Sequence, residues 1–99
     1  MNMQAMLKQA QNMQREMMKE QEAINNMDFN GENGLVKVTM KGTKKVTKVD
    51  IVKDQDFTSD DLDMLEDMIM VAVNEAISKI DKTTEEKMGK YTRGLPGLF

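Results

Sequence analysis

Ninety-nine residues, 14 of them Lys or Arg and 17 Asp or Glu, make one domain's length of chain with a formal net charge of −3. The chain has no Cys and no His, which excludes thiolate and imidazole groups as nucleophiles, acid–base catalysts or metal ligands. One Tyr, three Phe and no Trp allow only a modest core, so pairing with a second copy is a way to bury more apolar surface.

Residues 3–27 carry a helical pattern. Met3, Met6, Ala10, Met13, Met17, Ile24 and Met27 fall at alternating steps of three and four, with Glu20 at the one skipped position. This is an a/d seam on a helix. At 1.5 Å per residue the helix is a rod roughly 37 Å long, and its seam needs either a second copy or a later helix. Asn30-Gly31 and Asn33-Gly34 read as turns. In Leu35 to Lys41, Val36, Val38 and Met40 alternate with Lys37, Thr39 and Lys41, which predicts a strand with one apolar and one basic face. Gly42-Thr43 supplies a turn into a second strand, about 45–52, where the three-residue step from Val46 to Val49 predicts a bulge. A short strand around 27–30, including Phe29, extends the hairpin to a three-stranded sheet. A second helix starts near Thr58 or Ser59: Thr58 has Asp61 three residues on, and Asp60, Asp61 and Asp63 suit the positive end of its dipole. Leu62, Leu65, Ile69, Ala72, Ala76 and Ile80 form its apolar stripe, flanked by Val73 and Ile77, and Gly89 is its expected stop. The fold class is therefore α+β: a single domain over 1–89 and a flexible tail over 90–99.

Charge is segregated. Residues 37–53 hold six lysines and one acid, Asp50, whereas 54–75 hold eight acids and no base. Lys37, Lys41, Lys45 and Lys48 are either an ordinary solvated strand face that guards against aggregation or a surface that neutralises phosphates. Lys8, Arg15 and Lys19 form a second cationic row, opposite the Met seam, with Gln4 and Gln11 beside it and Glu16 and Glu22 at its margins. No aromatic residue lies between Lys37 and Lys53, so stacking on single-stranded bases is unsupported. Contact with the backbone of duplex DNA fits better.

Other chemistry falls away on inspection. Asp54, Asp56 and Asp60 mimic part of a calcium loop, but Ser59 stands where that loop needs Gly and Leu65 where it needs Glu. Ser59 and Ser78 have no His to activate them, and no Gly-rich phosphate cradle is present. The Met spacing is that of a packing seam and not of a copper site. No enzyme, cofactor, metal site or small-molecule substrate is expected. The longest apolar run, Met68 to Val73, is far short of the ~20 residues of a membrane span. Residues 1–14 lack the apolar core of a signal peptide, so a cytoplasmic location without membrane contact is expected.

Several segments, taken together and in order, resemble the YbaB/EbfC family of small bacterial nucleoid-associated proteins. They are Lys8-Gln9-Ala10-Gln11 with Met13-Gln14, Gly34-Leu35-Val36-Lys37-Val38, and Leu65-Glu66-Asp67 with Ala72, Asn74 and Ala76. Lys87-Met88-Gly89 and Gly94-Leu95-Pro96-Gly97 complete the set. Ile51-Val52-Lys53 departs from the Ile-Asp-Pro of many members. The resemblance implies a homodimer that binds double-stranded DNA in the nucleoid, with sheets and second helices in a shared core and the first helices projecting. Met6, Met13, Met17, Leu65, Ile69 and Ala72 are the interface residues expected on that basis. Lys8, Arg15 and Lys19 rank first as DNA contacts, then Lys87, Lys90 and Arg93, then the strand lysines. The competing reading is a dimeric cytoplasmic protein–protein adaptor without direct DNA binding.

Overall fold

The structure, a computed structural model, describes residues 2–93, with side chains as far as Tyr91. Helix α1 spans Met3–Asn26 and is followed by strands β1 (Asp28–Asn33), β2 (Val36–Lys41) and β3 (Val46–Ile51). One turn of 3-10 helix, Ser59–Asp61, leads into α2, Leu62–Arg93. The strands form an antiparallel meander in the order β1-β2-β3. The expected architecture is present, including the third strand.

Local chemistry sets the boundaries. The Asn2 Oδ1 accepts from the Ala5 N–H at 2.7 Å and caps α1. At the other helix, the Asp61 carboxylate accepts from the Thr58 N–H at 2.8 Å while the Asp61 N–H donates to the Thr58 carbonyl at 3.0 Å. The expected bulge is real. Thr39 faces Lys48 but Met40 faces Val46, which leaves Thr47 as the extra residue on β3. Thr47 donates its hydroxyl to the Thr39 carbonyl at 3.3 Å, filling the gap in the ladder.

Of the three expected turns, Gly42-Thr43 is present, closed by the Lys44 N–H donating to the Lys41 carbonyl at 2.8 Å, and one assignment changes. Asn33-Gly34 does turn the chain, with Gly34 at φ +55. Asn30-Gly31 does not: both residues lie inside β1, paired with Thr39 and Val38. Gly31 is there because α2 crosses it so closely that a Cβ would collide with the Ala72 carbonyl oxygen. Gly42 likewise lies under α1, where a Cβ would meet the Ile24 carbonyl, and the left-handed residue of the β2–β3 turn is Lys44, φ 71.

The core lies between α2 and the sheet. Ile24, Phe29, Met40, Ala76 and Ile80 form one buried cluster and Val36, Val38, Leu65 and Ala72 another, with Val73 packed against both. Leu62, first in the expected stripe, is instead 53% exposed. Helix α2 also continues past Gly89 to Arg93, four residues into the expected tail. Met88 packs on the first cluster and Tyr91 is only 7% exposed, and that burial outweighs the roughly 1 kcal/mol a glycine costs a helix. Residues 94–99 of the expected tail lie outside the described residues.

Helices α1 and α2 run antiparallel, joined by Ile24 at the core and by Glu20 against Tyr91. The later helix is thus one partner of the Met seam, over its second half. The first turns of α1 extend beyond it, with Met3 76% and Met6 57% exposed. The molecule is elongated, 71 × 23 × 14 Å.

Candidate nucleic-acid interface

A cation neutralises a phosphate most readily where no carboxylate already holds it. The register decides this for the strand lysines. On the face of the sheet away from α2, Asp28 stands opposite Lys41, Glu32 opposite Lys37, and Asp50 opposite Lys37 from the other side. Lys41 pairs with Asp28 at 2.8 Å, Lys37 with Glu32 at 4.0 Å, and Lys48 with Asp50 at 3.6 Å. The expected basic face is therefore a mixed one, because β1 brings acids from outside the lysine-rich segment. Lys44 is paired with Asp81 at 3.0 Å, and Lys45 is exposed beside it.

The row on α1 differs. Lys8, Arg15 and Lys19 are all exposed on the side of the helix opposite Met13, Met17 and Ile24. Among the described residues no carboxylate lies within ion-pairing distance of any of the three. Lys8 and Arg15 are separated by about 10 Å along the helix axis. Gln11, Gln14, Met18 and Glu22 border a shallow depression shared with Arg15 and Lys19. Amide side chains beside cations add donors suited to phosphate oxygens.

The second-ranked group sits at the C-terminal end of α2, where the helix dipole favours cations. Lys87 is exposed. The Lys90 Nζ lies 3.4 Å from the Glu20 carboxylate and 5.1 Å from the centre of the Tyr91 ring. Arg93 ends the helix, and its side chain lies outside the description. Glu85 and Glu86 precede Lys87 on the same helix end, and a larger group of acids, Asp54 through Asp67, lies before and at the start of α2. Among the described residues no three of them converge to hold a metal ion.

Two features were not anticipated. One is the contact of Glu20 with Tyr91, whose hydroxyl donates to the Glu20 carboxylate at 2.8 Å. The lone charged residue in the seam was its only sign. Glu20 is held below its ordinary pKa, chiefly by the Tyr91 hydrogen bond, with Lys90 and Lys87 adding to it against a smaller desolvation cost. Lys90 is raised by the hydrogen bond to Glu20, and Tyr91 is raised by burial. The other feature is apolar. Val46 and Val49 belong to the α2-facing side of the sheet, but α2 lies across β1 and β2, leaving them 41% and 46% exposed. Of the expected interface residues, Met6 is exposed and Met13, Met17 and Ile69 are half-buried. Leu65 and Ala72 are enclosed by the chain's own sheet.

Fold and charge together define a small α+β protein whose accessible cations stand on a projecting helix and whose sheet keeps one uncovered apolar edge. A family model described as the YbaB/EbfC DNA-binding family matches residues 1–95, and the chain belongs to that family. It is 48% identical to a nucleoid-associated protein of Enterococcus faecalis, over 98% of this chain and 94% of that one. It is 47% identical to a nucleoid-associated protein of Ligilactobacillus salivarius, over 99% and 95% of the two chains. The fold is similar to the crystal structure of the uncharacterized protein HP0035 from Helicobacter pylori. That match has a TM-score of 0.75 at 15% identity and covers 93% of this chain and 98% of the other. Among the described residues no helix is long and apolar enough to cross a membrane.

Proposed function

We propose that this protein is a non-enzymatic nucleoid-associated protein that binds double-stranded DNA as a homodimer, mainly through backbone phosphates, and so contributes to nucleoid organisation or gene regulation in the cytoplasm. The observation that carries this reading is the exposed row Lys8, Arg15 and Lys19, free of carboxylate partners among the described residues while Lys37, Lys41 and Lys48 are paired. Family membership supports DNA as the partner. Lys87, Arg93 and Lys45 are secondary contacts in this scheme. Lys37, Lys41 and Lys48 contribute little, since a phosphate must first displace an acid.

Titrating a fluorescent duplex of ~30 bp at two salt concentrations tests the reading, because neutralised phosphates release counterions and affinity falls steeply with salt. No binding at low salt overturns it. That outcome favours the adaptor reading, in which the α1 seam or the C-terminal tail docks on other proteins and which the acidic segment 54–75 also supports.

For the dimer we propose the uncovered side of β3, where Val46 and Val49 are exposed, together with the half-buried Ile69, Val73 and Ile77 of α2. Met6 and Met13 on α1 are candidates for further contact. Val49→Glu then places two carboxylates in an apolar interface, and light scattering shows the mass of a dimer halved. Lys48→Glu, on the opposite face of the sheet, leaves the mass unchanged. A Val49→Glu chain that remains dimeric places the interface elsewhere, on the α1 seam.

A further inference from the structure

A charged residue in an otherwise apolar seam needs a reason. Glu20 lies between Met17 and Ile24 on the side of α1 that meets α2, near the C-terminal end of α2. Its carboxylate takes the Tyr91 hydroxyl at 2.8 Å and Lys90 at 3.4 Å, and Lys90 also lies 5.1 Å from the Tyr91 ring centre. The Tyr91 side chain is largely buried, at 7% exposure, whereas Glu20 is 33% exposed, so the hydrogen bond forms at the edge of the helix contact, and its charged acceptor makes it directional and stronger than a neutral one. An apolar seam rich in Met permits sliding and rotation. A buried phenol on a carboxylate does not.

We infer that Glu20, Tyr91 and Lys90 form a polar latch that fixes the angle at which α1 leaves α2 and thereby positions the row Lys8, Arg15 and Lys19 for DNA. The DNA half of this inference rests on the function proposed above; the latch itself does not. These are positioning residues, except that Lys90 is both a latch member and a candidate DNA contact. Phosphate and Glu20 compete for its ammonium, so a phosphate bound there loosens the latch.

The sign of the pH dependence follows from the groups around the site. Facing Glu20 from α2 are Tyr91, Lys90 and Lys87, and along α1 its charged neighbours are Glu16 and Lys19. Glu20 is held below its ordinary value. Its contribution is therefore present above the unfolded-state value and is lost as pH falls through the lowered one. Lys90 and Tyr91 are raised, so their contributions are lost only as pH climbs through the alkaline range.

Because the chain has no cysteine, a spin-label pair can be placed at Gln4→Cys and Lys82→Cys, with labelled chains diluted into unlabelled ones so that only distances within one chain are read. The full chain is expected to give a narrow distance distribution at neutral pH that broadens as the pH drops below the carboxylate range. Tyr91→Phe, which removes one oxygen, is expected to be broad at every pH and to bind duplex roughly fivefold or more weakly. Glu20→Gln keeps an acceptor for Tyr91 but cannot titrate, so its distribution is expected not to change with pH. A narrow distribution in Tyr91→Phe, or the same pH response in Glu20→Gln, overturns the latch. A broadened distribution with unaltered duplex affinity keeps the latch and overturns the DNA role of the row it carries.

Discussion

Replacing Lys8, Arg15 and Lys19 together by Ala is expected to weaken duplex binding at low salt by on the order of ten- to a hundredfold and to make its salt dependence shallower by about one per residue removed. The three side chains are exposed and bury no apolar surface of the core, so the far-ultraviolet spectrum and the mass in solution should not change. The salt slope is the more telling quantity, since a misfolded variant loses affinity without the change in slope that phosphate neutralisation requires. A parallel variant lacking Lys37, Lys41 and Lys48 should lose much less, because each already sits beside Glu32, Asp28 or Asp50. If the strand variant suffers more than the helix variant, the interface lies on the open face of the sheet.

Gly31→Ala is expected to destabilise the fold by about 3 kcal/mol or more, at or beyond the upper end of overpacking costs. The new methyl group meets the Ala72 carbonyl oxygen and, at 2.9 Å, the Ala76 backbone nitrogen. Both belong to the backbone of α2, so no side chain can turn aside, and the helix must lift from β1. Ala72, Ala76 and Ile80 all sit on that contact, at 0–2% exposure, and lifting the helix opens the core along its length. A domain holds only about 5–15 kcal/mol in total, so a loss of this size shows as a large drop in the urea midpoint at fixed protein concentration. A shift worth less than about 1 kcal/mol would mean that α2 is not seated on β1 as described.

Gly31 also marks where reading the chain residue by residue stops working. Asn-Gly is a strong local turn signal, and Asn33-Gly34 obeys it with a positive φ. The neighbouring Asn30-Gly31 carries the same signal for another reason, set by a helix that arrives much later in the chain. Features decided by local chemistry were legible: the heptad of α1, the Thr58–Asp61 cap and the Thr47 bulge. Features decided by juxtaposition were not. Lysines 37–48 look like a basic patch when charge is counted along the chain, yet Asp28 and Glu32 arrive through the β1–β2 register beside Lys41 and Lys37 and make the face a mixed one. Glu20 looked like a gap in the seam until Tyr91 reached it from 71 positions away. The α1 row was readable because a helix shows its faces in its own sequence.

The bare first turns of α1 also leave the protein room to change. Each cation of the row stands on a helix surface that packs against nothing, and exposed substitutions of that kind usually shift stability by no more than about 0.5 kcal/mol. The charge presented at the arm can therefore be raised, lowered or moved by a turn through single substitutions, while the Gly31 crossing and the two buried clusters stay as they are. Selection can retune how tightly related chains hold their partner, step by step, without revisiting the problem of folding.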